Sequence, residues 1–146
     1  VIAMGVMDES IKWEMWPEDH VTVSQDGYLA NQEQHANQED SLVSGGPLLE
    51  EGRHYWEVQV AAPSLENMVG LLVGVCVPGI DCTTRLALRN GCFVHAYDGG
   101  LFSRYSNDTG TVGGFSEGDR IGLLLDFDDG SLLIYKNGRQ HGPGGR

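Results

Sequence analysis

Three acids crowd one short stretch, Asp126, Asp128 and Asp129, and carboxylate oxygens at such spacing are what a hard cation takes as ligands. A calcium loop needs further oxygens at fixed offsets, and Ser131 to Tyr135 supplies almost none, so turn formation explains the acids better. The five histidines share no ligand spacing. His54 alternates with Trp56 and reads as a packed strand residue; His35 lies in a polar loop. The three cysteines, Cys76, Cys82 and Cys92, have neither a metal nor a disulfide rhythm. They read as reduced thiols of a cytoplasmic protein. A nucleophilic enzyme needs a Ser or Cys with a positioned base and an oxyanion site, and Cys76, Cys82 and Cys92 have no recognisable catalytic context. Thr109 to Gly114 is glycine-rich but lacks the Lys and the following helix of a phosphate loop. Asn107-Asp108-Thr109 fits a glycosylation acceptor, a pattern common by chance. The expectation is no catalysis, no metal and no cofactor.

The elements that carry these residues are short strands. With 146 residues, 40% hydrophobic and 21% charged, the chain has the composition of one globular domain, spanning 1–146. Its net charge is −12, with nine Lys and Arg scattered among 21 acids, which excludes the clustered cations that phosphate backbones require. No apolar run approaches the ~20 residues of a membrane span; the longest, Val69 to Val77, is interrupted by glycines. The expectation is therefore neither a nucleic-acid nor a membrane partner.

Gly52 to Val60 reads GRHYWEVQV, a strand with Trp56, Val58 and Val60 on one face and Tyr55, Glu57 and Gln59 on the other. Asp119 to Gly138 reads DRIGLLLDFDDGSLLIYKNG, a hairpin in which Ile121, Leu123, Leu125 and Phe127 alternate. Asp129-Gly130 suits a two-residue turn, and Asn137-Gly138 signals another. Val1 to Met7 is apolar and suits an edge strand. Trp13 to Pro17 reads as an irregular crossing, because Pro17 is excluded from a central strand. His20 to Ser24 and Tyr28 to Ala30 flank an Asp26-Gly27 turn. Asn31 to Ser41 is a polar loop, and Leu42 to Ser44 returns to strand. Val69 to Val77 reads as a strand covered on both faces. Cys92 to Tyr97 and Leu101 to Tyr105 pair around Asp98-Gly99-Gly100. Short strands with Gly and Asp turns make an all-β antiparallel sandwich.

The Arg-His-Tyr-Trp-Glu strand, followed by Gly-Asp-x-Ile-Gly, an acidic turn and Tyr-Lys-Asn-Gly, resembles the SPRY domain. The likeness runs from about Val21 to Gly138 and includes Gly45-Gly46-Pro47-Leu48 ahead of the Gly52 strand. It implies a bent β-sandwich of two antiparallel sheets, a concanavalin-like jelly roll without catalysis. Its expected function is to bind a peptide or loop of a partner protein through variable loops, as an adaptor or substrate-recognition domain of a ubiquitin ligase. By position, the resemblance makes Gln32, Gln34, His35 and Asn37 contacts of a first loop, and Thr83, Thr84 and Leu86 contacts of a second. Phe93 and His95 fall where some members place aromatic anchors, and because aromatics and Arg commonly dominate such interfaces, Phe93, Tyr97 and Arg85 are the sharper candidates. Core packing is the alternative for Phe93 and Tyr97.

Family members continue past the Asn-Gly turn into further strands. The resemblance therefore implies a domain cut from a longer protein, with an open sheet edge beside Ser131 to Lys136. Val1 to Met7, or self-association, would fill that edge. A small-ligand or carbohydrate receptor is the alternative function, since lectins use antiparallel sandwiches and Tyr97, Asp98, Tyr105 and Asn107 group an aromatic pair with polar residues.

Overall fold

The GRHYWEVQV strand and the hairpin that follows it form the middle of the larger sheet. The computed structural model describes residues 2–6, 13–15, 21–32, 44–45, 48–62, 72–77, 91–103, 106–107 and 113–141. Among these, thirteen strands occur and no helix: β1 (Ile2–Val6), β2 (Trp13–Met15), β3 (Val21–Val23), β4 (Leu29–Gln32), β5 (Ser44–Gly45), β6 (Arg53–Ala62), β7 (Leu72–Cys76), β8 (Gly91–His95), β9 (Leu101–Ser103), β10 (Ser106–Asn107), β11 (Arg120–Asp126), β12 (Ser131–Lys136) and β13 (Arg139–Gln140). They form a seven-stranded sheet in the order β13-β12-β11-β6-β1-β4-β3, a four-stranded sheet in the order β10-β9-β8-β7, and a small β2-β5 ribbon. Every pairing is antiparallel. The chain is an all-β sandwich.

Register turns the alternation into a core. Val58 lies opposite Ile121, and Leu123 lies between Trp56 and Ile134. Val58, Val60, Ile121, Leu123, Leu132 and Ile134 bury one face of the large sheet against Val73, Val94 and Ala96 of the small-sheet side, with Phe115 among them. Each such aliphatic side chain contributes about 1.5–3 kcal/mol by leaving water. Trp56 faces the same way, as its alternation with Val58 and Val60 predicts, but is only partly buried against this cluster.

One end is closed by the segment that enters β11. Val60 N–H donates to Asp119 O at 2.9 Å, and Gly118 N–H donates to Val60 O at 2.7 Å. Phe115 N–H donates to Ala96 O at 2.6 Å, which ties the small sheet to the same end. The Asn137-Gly138 turn completes the closure: Asn137 Oδ1 accepts from Arg120 N–H at 2.9 Å, and its amide donates to Asp119 Oδ1 at 2.9 Å.

The structure corrects five sequence expectations. The segment read as an edge strand, β1, lies inside the large sheet between β6 and β4; its uncharged, largely apolar sequence and lack of proline suit a strand paired on both sides. The turn after β11 is not a two-residue one, because Asp126 pairs with Ser131 and leaves four residues between them. Gly130 does take φ 70°, but Asp129 does not go positive. The two-residue turn with both φ positive is Asn137 (53°) and Gly138 (83°), between the paired Lys136 and Arg139.

Trp13–Met15 is a strand, paired with Ser44–Gly45. β7 is a terminal strand of the four-stranded sheet, and Val73 is its one buried residue. The edge expected to lie open beside Ser131 to Lys136 is taken at Tyr135 and Lys136 by β13, with His141 N–H donating to Ile134 O at 2.8 Å, while Val1 to Met7 contributes β1 elsewhere.

Candidate functional site

The small sheet has two faces of different character. Leu101, opposite Val94, and Cys92 pack against the core together with Val94 and Ala96. The alternate positions Phe93 and His95 therefore belong to the face turned away from the core, and Tyr97 follows them in the turn beyond β8. Register places Gly74 and Phe102 beside Phe93, and Leu72 beside His95, on that same face. His95 and Phe102 meet edge-to-face, with ring centres 6.0 Å apart. Cys76 shares the face, opposite Gly91.

Three of the expected contacts thus lie along β8 and the turn beyond it, but with unequal exposure. Phe93 is 4% exposed, and its ring edge occupies the space that a Cβ on Gly91 would take. It cannot offer an anchoring surface as it stands, although the core cluster is not what buries it. His95 is half-buried. Tyr97 is 61% exposed and presents its ring to solvent.

The turn carrying Tyr97 is held from several sides. His95 N–H donates to Gly100 O at 2.7 Å, Gly99 N–H donates to His95 O at 2.9 Å, and Asp98 Oδ1 accepts from Gly100 N–H at 2.8 Å. Gly114 packs so closely that a Cβ there would stand 1.9 Å from Tyr97 O. Asp98 therefore serves its own turn, and the aromatic ring beside it is displayed on a fixed backbone.

Of the remaining expected contacts, Gln32 ends β4, paired with Ile2 and Val21. Gln34, His35, Asn37, Thr83, Thr84, Arg85 and Leu86 lie outside the described residues. Sequence reasoning missed Leu72, Cys76 and Phe102 on the Tyr97 side. The signal existed in the alternation of each strand, but the register that brings the strands together did not. Burial pushes the thiols of Cys76 and Cys92 upward, which keeps them protonated and poorly nucleophilic near neutrality.

The fold is an antiparallel sandwich with an exposed aromatic on a braced turn. The SPRY domain matches residues 53–144, more than half of the sequence, and the chain belongs to that family. SPRY domains are generally non-catalytic protein-interaction modules. The comparison with curated proteins yields no match. No helix among the described residues is long and apolar enough to cross a membrane.

Proposed function

We propose that this domain binds a peptide or loop of a partner protein on the side of the small sheet that carries Tyr97, with the segments read from the sequence as loops, Asn31 to Ser41 and Pro78 to Gly91, supplying further contacts. The exposure of Tyr97 on a turn braced by hydrogen bonds carries this reading. A fixed aromatic loses little freedom on binding and supplies a large contact area, which is why tyrosine is enriched at binding hot spots. Partner capture of this kind suits a substrate-recognition or adaptor domain of a ubiquitin ligase, and the odd number of unpatterned cysteines suits a reducing, intracellular setting.

The test is a pull-down comparing wild type with Tyr97→Ala and with the His35, Thr84, Arg85 triple alanine variant, with melting curves as control. Partner capture should fall in both variants while stability stays within about 0.5 kcal/mol per site. Identical partner lists from all three proteins would refute this surface. Enrichment of ubiquitin-ligase subunits with the full-length parent protein would support the ligase role.

A further inference from the structure

The opposite side of the molecule, the outer face of the large sheet, is built in rows. One row runs Tyr55, Leu124, Leu133 across β6, β11 and β12; the next runs Glu57, Gly122, Tyr135, Gln140. Gly122 leaves a hole in the second row, and the rings of Tyr55 and Tyr135 lean over it to meet edge-to-face at 5.5 Å. The result is a continuous apolar strip in which Tyr55 is 42% exposed and Leu124, Leu133 and Tyr135 are half-buried.

Ion pairs bracket the strip. Arg53 Nε stands 3.0 Å from Asp126 Oδ2 on one side, and Arg120 Nε stands 3.1 Å from Glu57 Oε2 on the other. Both guanidinium groups on this face are therefore already matched by an acid.

Beyond the Arg53 pair the balance changes. Phe127 N–H donates to Gly52 O at 3.0 Å, which joins the acidic turn to the segment leading into β6. Residues 48–54 and 126–131 together hold Glu50, Glu51, Asp126, Asp128 and Asp129 against the one guanidinium of Arg53. Leu48, in the same stretch, is 63% exposed, whereas Phe127 turns its ring edge-to-face onto His54, which shares the core-side parity of Trp56. An apolar strip thus runs into an acidic rim.

We propose that this face docks a basic amphipathic helix of a partner protein, its apolar stripe on Tyr55, Leu124, Leu133 and Tyr135 and its Lys or Arg residues over the rim at Glu50, Glu51 and Asp128. Charge complementarity sets the sign of the partner, since a rim of carboxylates repels an acidic segment and attracts a basic one. The shape of the site sets the helix. A sheet face offers side chains and no backbone groups, and a helix, which satisfies its own N–H and C=O groups internally, can lie on such a face with no backbone partner. Three strands span about 10 Å, close to the width of one helix. This surface is distinct from the Tyr97 side and does not depend on it.

The probe is a displayed library with a fixed helical frame, its stripe randomised over apolar residues and its flanks over Lys, Glu and Gln. Selection on the domain should enrich Lys on the flanks. Binding of the selected helices should fall at least about thirtyfold with Leu124→Glu, a loss on the hot-spot scale. It should also fall severalfold with Glu50→Lys, Glu51→Lys and Asp128→Lys combined, exposed changes that leave folding intact. Raising salt from about 0.05 to about 0.5 M should weaken it as well. Tyr97→Ala should leave it unchanged, so failure here and failure of the Tyr97 reading are separate results. An empty selection, enrichment of Glu, or binding indifferent to both the Leu124 and the rim variants would overturn the proposal. Sedimentation showing a dimer that Leu124→Glu dissolves would assign the face to a second copy of the chain and overturn it too.

Discussion

Gly122→Ala is the sharpest single-atom probe of the outer face. A Cβ at Gly122 would stand 2.4 Å from Tyr55 Oη and 2.9 Å from Tyr135 Cβ. The first overlap can be relieved, because Tyr55 is 42% exposed and its phenol can swing outward. The second cannot, since Tyr135 Cβ is attached directly to the β12 backbone. Swinging Tyr55 away also gives up its edge-to-face contact with Tyr135, worth about 0.5–1.5 kcal/mol. Overpacking a closed site costs about 1–3 kcal/mol. Against these, alanine in place of glycine in a strand returns about 0.5–1 kcal/mol of backbone entropy.

The net expectation is a loss of about 1–3 kcal/mol, which lowers Tm by roughly 3–10 °C for a domain of this size. Thermal and urea melts of Gly122→Ala, Tyr55→Ser and the double variant form a cycle. Because the Tyr55 ring is the movable half of the clash, the double variant should lose less than the two single variants together, by about 1 kcal/mol. A Gly122→Ala protein that melts like wild type, or a strictly additive cycle, would refute the packing argument and remove the smooth floor of the strip.

Asp119 ties one end of the sandwich together. Partial burial pushes its carboxyl upward, but hydrogen bonds from the Asn137 amide and Ser116 N–H, together with the Lys136 charge, outweigh this and hold it below the usual carboxylate range. Its stabilising contribution is therefore complete above that range and is lost as pH falls through the lowered folded value. Asp119→Ala should cost about 1–3 kcal/mol at pH 7, and the difference from wild type in pH-dependent melts should narrow in acid; a gap that widens in acid would refute the clasp. Gly138→Val should destabilise by more than about 1 kcal/mol, because a β-branched residue resists the φ of 83° that this turn requires; equal urea midpoints would contradict the turn assignment. Asp129→Asn should be nearly neutral, because the amide oxygen can still accept from Ser131 N–H as the carboxylate does at 3.0 Å. Strong stabilisation of the wild type by calcium, lost in this variant, would show that the acids serve a metal instead.

Much of the architecture was legible because it is local. The alternation of β6 and β11 assigns their buried faces without reference to any partner strand, and Val58, Val60, Ile121 and Leu123 lie where that period puts them. Gly130 and Asn137-Gly138 mark chain reversals because few other residues tolerate positive φ. The ordered Tyr-Trp-Glu strand and Gly-Asp-x-Ile-Gly hairpin were enough to indicate the family. The site was less legible. Tyr97 and Phe93 have the same parity along one segment, and no local pattern separates an exposed ring from one that is 4% exposed.

What only the tertiary structure decided is long-range register. β1 pairs with β6, far along the chain, so its central place is invisible to a reading of its own five residues. Lys136 reads as a polar strand end. In the fold it stands opposite Ile121, and its ammonium donates to Gly114 O at 2.9 Å beneath Asp119. The hole at Gly122 acquires meaning only when two tyrosines from flanking strands lean across it. Period and turn chemistry reside in neighbouring residues and can be read from a string. Which strands lie side by side depends on the free energy of burying all the faces together, and that is a property of the folded chain alone.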